Sequence, residues 1–156
     1  MTNKPMGLLL VLPLLVFPML GAGPAGYKYW SAAELKSLSK PLANKSDAIT
    51  SSENMGNFGR DHALMVHRDG SGRAELHETE ADVMVVVSGT GTIVVGGTMP
   101  GSKTTAPGEV RAASIEGGLR QKIGPGDILH IPPKTPHQVL LAPGTQITYF
   151  TLKVKE

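Results

Sequence analysis

The stretch GDILHIPPKTPH, residues 126–137, decides how the rest of the chain is read. Asp127 to Pro132 reads as a short strand, and Pro132, Pro133 and Pro136 then stiffen a corner before His137 opens the next one. The same texture runs outward in both directions. Downstream lie HQVLLA (137–142) and QITYFTLKV (146–154). Upstream lie HALMVHR (62–68), RAELHE (73–78), DVMVVVSG (82–89), GTIVVGG (91–97) and LRQKIG (119–124). Asp69 to Gly72 reads as a tight turn joining the first two of these upstream strands. Short β-branched runs separated by Gly or Pro at fairly regular intervals predict a sandwich or barrel. A longer excursion, Thr98 to Gly118, carries Pro100, Gly101, Pro107 and Gly108 and reads either as a lid or as surface decoration.

Composition narrows the function classes. The chain has 156 residues, enough for one core, with 15 Lys plus Arg against 13 Asp plus Glu and hence a net charge of +2. No basic run tracks a phosphate backbone, and seven aromatic residues (three Phe, three Tyr, one Trp) give few stacking platforms, so nucleic acid is not an expected partner. Zero Cys excludes disulfides, thiolate metal sites and Cys nucleophiles. A metal would be held by His, Asp or Glu.

The N-terminus reads as a signal peptide: Lys4, an apolar stretch from Leu8 to Leu20, then Gly23-Pro24-Ala25, with cleavage expected after Ala25. The expected location is therefore periplasmic or secreted, with no membrane contact after cleavage; the alternative is an uncleaved membrane anchor. Residues 1–25 are the signal, 26–58 an arm, and 59–156 the β domain. Within the arm, Ser31-Ala32-Ala33-Glu34 forms a capping box for a helix expected to stop before Pro41. Tyr27, Tyr29 and Trp30 are placed to pin the arm to the domain. Leu42 to Asn57 reads as irregular.

Three features of the β region carry chemistry. Glu75 and His77 are two apart on a strand and share a face. Asp82 opens the next strand after a short turn and can turn back towards His77. His137 heads a later strand that a sandwich can set alongside. His77, Asp82 and His137 make a facial set with open positions suited to Fe(II), and Glu75 would extend it to a harder N/O set for Mn, Ni or Zn. Glu78 and Glu80 in the adjoining turn are candidate general bases. His130, His62 and His67 are bystanders, with at most one of the last two entering a cavity. Met84, Val86, Val139 and Leu141 supply an apolar wall, and either Tyr149 or Phe150 points inward. Arg73, Arg120 and Lys122 are candidates for a positive rim.

These segments resemble the two motifs of the cupins. The first, G-x5-H-x-H-x3 or x4-E-x6-G, is matched by Asp69, Glu75, His77, Asp82 and Gly89, with Asp69, Glu75 and Asp82 departing from the residue types. The second, G-x5-P-x-G-x2-H-x3-N, is matched by Gly126, Pro132 and His137, with Lys134 for the glycine and Leu141 for the asparagine. The resemblance covers about residues 60–154. It implies an all-β chain: one cupin, or jelly-roll, β-barrel of six or more strands behind a short N-terminal helix. It also implies a divalent metal ion (Fe, Mn, Ni or Zn) on His77, Asp82, His137 and Glu75, and pairing into a homodimer through edge strands and the arm. The expected activity is that of a metal-dependent enzyme, of oxygenase, isomerase or lyase type, acting on a small organic molecule. The alternative is a non-catalytic barrel that binds a small ligand or partner.

Overall fold

The computed structural model describes residues 24–44 and 49–156. The apolar segment read as a signal peptide lies outside the described residues except at its end. No described helix is long and apolar enough to cross a membrane.

Among the described residues, one helix and eleven strands follow in order: α1 (Ala32–Asn44), β1 (Thr50–Phe58), β2 (Asp61–Arg68), β3 (Ala74–His77), β4 (Glu80–Gly89), β5 (Gly91–Val95), β6 (Lys103–Ala106), β7 (Glu109–Ala112), β8 (Leu119–Ile123), β9 (Ile128–Ile131), β10 (His137–Leu140) and β11 (Ile147–Lys155). They form two sheets of antiparallel strands, ordered β1-β2-β11-β4-β9 and β6-β7-β3-β10-β5-β8. Inward residues of the first sheet (Val66, Met84, Val86, Tyr149) pack on Ile93, Ile123 and Val139 of the second to form the core. The alternation of β-branched and polar residues that marked these strands is the alternation of their two faces.

The helix begins as its capping box predicts: Glu34 N–H donates to Ser31 Oγ at 3.1 Å, and Ser31 N–H donates to Glu34 Oε2 at 2.7 Å. It does not stop before Pro41, which lies inside it. Ser37, whose carbonyl loses its helical donor there, is exposed, so water can replace the missing bond. Leu42, one residue on, is fully buried and anchors the extra turn. Trp30 pins the arm, its ring centroid 5.2 Å from Phe150 and 6.1 Å from Phe58. Tyr27 and Tyr29 do not; both are well exposed.

Three local expectations are corrected. The segment read as irregular, Leu42 to Asn57, holds the end of α1 and all but the last residue of β1, whose register with β2 runs from Thr50 opposite Arg68 to Phe58 opposite Asp61. The polar residues of β1 suit an edge strand with one solvated face. Second, β2 and β3 are not a hairpin: Asp69 to Arg73 carries the chain from one sheet to the other, and Gly72 N–H is tied to the Val139 carbonyl at 2.9 Å. The β3 to β4 link crosses in the same way. Third, the excursion is neither lid nor decoration. It supplies β6 and β7, extends the second sheet past β3, and packs Met99 and Ile115 with Ala74 and Val94 in a second apolar cluster.

Candidate metal centre

Because both links around β3 cross the sandwich, the residues of the first motif meet face to face across the interior. β3 presents Glu75 and His77 from one sheet, and β4 presents Asp82 from the other. β10 completes the group, with His137 directly opposite Glu75 in register. His77, Asp82 and His137 are all buried. Asp82 Oδ2 lies 3.5 Å from His77 Nε2 and 3.3 Å from His137 Nε2. Glu75 is somewhat farther, with Oε2 3.9 Å from His77 Nε2 and Oε1 3.8 Å from His137 Nε2. Glu75, His77 and His137 each bring a ligand atom within 4.8 Å of the others.

The rings are oriented from behind. His77 Nδ1 sits 2.8 Å from Glu109 Oε1, and His137 Nδ1 sits 3.0 Å from the Thr135 carbonyl. Donation from each Nδ1–H leaves each Nε2 as an inward lone pair, the tautomer a metal ligand needs. His137 Nε2 is buried and has no hydrogen-bond partner among the described groups. Donors of a four-coordinate ion bonded at ~2.1 Å stand about 3.4 Å apart, close to the separations at Asp82 Oδ2. The donor set therefore fits a divalent transition metal.

Charge in the site is dense. Burial disfavours the Asp82 carboxylate, yet the neighbouring His137 and His77 imidazoles and the Lys153 ammonium outweigh it and hold its pKa far below the ordinary value. Burial likewise opposes a charge on His77, but Asp82 and Glu109, against the Lys153 ammonium, leave its pKa raised. Burial works against the Glu109 carboxylate too, and His77 and Arg111 overcome it, so its pKa is lowered. Glu75 is held between two guanidiniums, 3.4 Å from Arg68 Nη2 and 3.2 Å from Arg111 Nη2.

A cavity of roughly 380 Å³ opens on this cluster, walled by Leu64, Val66, Met84, Val139 and Tyr149. Of the two general-base candidates, Glu80 lines it and lies 3.4 Å from Lys155 Nζ. Glu78 does not: it is exposed in the two-residue link after β3. His62 reaches the cavity, while His67 is on the opposite face of β2, hydrogen-bonded to Thr148. His130 is exposed on the other face of β9. Tyr149 is the inward aromatic of β11, and Phe150 packs outward on Trp30. Arg120 and Lys122 are solvated on β8, and Arg73 lies in a neighbouring cleft with Arg68 and Arg111.

Four charged cavity residues were missed in the sequence: Arg68, Glu109, Arg111 and Lys153. Arg68 and Lys153 had a signal, since period-two alternation puts them on the faces of Val66 and Tyr149. Glu109 and Arg111 had none, because β7 sits inside the Gly- and Pro-bearing excursion.

No protein-family model matches the chain, and no curated protein matches its sequence. Solved structures of similar fold include a cupin-2 domain protein from Rhodospirillum rubrum (TM-score 0.50, 13% identity, covering 69% of this chain and 61% of that one). A DMSP lyase from Ruegeria pomeroyi DSS-3 has TM-score 0.50 and 13% identity, covering 69% of this chain and 47% of that one. The polyketide cyclase RemF from Streptomyces resistomycificus has TM-score 0.49 and 17% identity, covering 67% and 64%. The matched part thus spans less than two thirds of each of these proteins. Its two antiparallel sheets, packed face to face, give the chain the jelly-roll barrel fold of these cupin structures, with one short helix among the described residues.

Proposed function

We propose that this chain is an exported cupin that binds a divalent transition metal and acts as a metal-dependent enzyme on a small organic molecule. One observation carries the reading: two buried imidazoles, each engaged at Nδ1, turn their Nε2 atoms towards the same carboxylate oxygen at the floor of a cavity. His77, His137 and Asp82 would hold the ion, with Glu75 as the fourth donor. When bound, such an ion supplies Lewis-acid polarisation or activates water or oxygen.

The chain's own residues do the rest. Glu109 and the Thr135 carbonyl keep the two rings in the ligating tautomer. Arg68 and Arg111 orient Glu75 and set the positive charge beside the cavity, which favours an anionic group on the substrate. Leu64, Val66, Met84 and Val139 exclude water from one wall. Glu80 is the carboxylate placed to move a proton at the cavity edge. A lyase shares this fold, but fold alone selects no reaction. Export rests on the apolar stretch from Leu8 to Leu20.

Metal analysis of the purified protein tests the reading. The wild type should carry a transition metal that His137→Ala loses; the same negligible content in both would end it. A second reading, a non-catalytic binding barrel, is favoured by one contact: Asp82 already has a cationic partner in Lys153, 2.6 Å away. Thermal stabilisation of metal-free protein by small carboxylic acids would support that alternative.

A further inference from the structure

The donor cage contains a cation of its own. Lys153 Nζ lies 2.6 Å from Asp82 Oδ1 and 2.6 Å from His77 Nε2. An ammonium offers only protons, so at that distance His77 Nε2 directs at it the same lone pair that would bind a metal. The fold builds this contact deliberately into β11. Tyr149, Thr151 and Lys153 line the cavity at alternate positions, and register sets Lys153 opposite Asp82. With its side chain 12% exposed, Lys153 is not a surface lysine resting on a nearby acid.

We propose that Lys153 and a divalent metal ion are alternative occupants of one site, so that metal enters by displacing the ammonium and Lys153 sets the metal affinity. The inference rests on the metal reading given above. A metal–nitrogen bond of ~2.0–2.1 Å runs along the lone pair that the lysine already uses, so His77 Nε2 cannot serve both. Two cations in one cage also repel, and Asp82 cannot fully compensate both. The displaced ammonium has a second seat close by. Glu80 and Glu109 line the same cavity and, with His77, gather ligand atoms within 4.8 Å of one another.

Calorimetric titration of the full chain with Co2+ tests this, comparing the wild type with Lys153→Met. The variant should bind roughly tenfold tighter or better. Equal affinity in the two proteins overturns the inference and leaves the metal reading standing, whereas no uptake by either overturns both. A second measurement needs no variant: acylation of lysine amines in the wild type, read by peptide mass spectrometry with and without saturating Co2+. Labelling at Lys153 should rise with Co2+ relative to the other lysines, and unchanged or reduced labelling overturns displacement.

Discussion

Lys134 holds φ at +61°, the only non-glycine among the described residues with a positive φ. It stands where the cupin motif has glycine, and its N–H donates to the His77 carbonyl at 2.7 Å, tying the corner before His137 to the strand that carries His77. A left-handed conformation costs an L-residue about 1–2 kcal/mol, part of which glycine returns as greater freedom in the unfolded chain. Lys134→Gly should therefore stabilise the fold by ~0.5–1 kcal/mol in denaturant titration, with the corner unchanged. Tyr149 gives a pH-dependent counterpart. Burial pushes its phenol up to about 12, despite the Arg68 Nε–H donated to its oxygen at 2.9 Å. A folded pKa above the ordinary 10.0 means that its stabilising contribution is complete below that value and is lost as pH rises through about 12. Spectrophotometric titration should find an ionisation near 12 that Tyr149→Phe removes.

Among the elements, β7 and β4 have the sharpest consequences. β7 pairs with β3 so that Glu109 stands opposite His77 and Arg111 opposite Glu75. Its Glu109 and Arg111 orient the candidate ligands His77 and Glu75. Glu109→Ala should weaken metal affinity by about 10- to 100-fold, read by the same titration, while leaving the fold intact. The end of β4 shows why the first motif closes on glycine. Gly89 has φ +75°, and a Cβ there would collide with the Gln146 carbonyl just before β11. Relief needs backbone movement, so Gly89→Ala should cost more than about 2 kcal/mol and show as a lowered unfolding midpoint. The elements hard to read in the sequence were two edge strands, β1 and β6, together with β7, which sits inside the excursion. TSSENMGNF in β1 and KTTA in β6 lack an apolar face, because edges lie against solvent and need only backbone pairing. The strands around the core, β2, β4, β5, β10 and β11, were legible since they carry regularly placed apolar residues that the two sheets cover.

For the whole molecule, a site built from both sheets couples ligand to stability. His77 and His137 come from one sheet and Asp82 from the other, so an ion bridging them clamps the sandwich. At a hundredfold excess over its dissociation constant, a bound metal should add ~2.7 kcal/mol, or roughly 10 °C in Tm for a domain of this size. Scanning calorimetry with and without added Co2+ should show that shift in the wild type and not in His137→Ala. Read alone, the residues of this chain determined the β class, the inward faces and the ligand candidates His77, Asp82, His137 and Glu75. Strand alternation and motif spacing are local, so they survive in one dimension. Only the tertiary structure decided that β2 and β3 part into different sheets and that the excursion brings Glu109 and Arg111 to the site. It alone also seats Lys153 among the candidate ligands. Those outcomes depend on which strands pair and in what register, and long-range packing of two sheets settles that, leaving no mark at any single position.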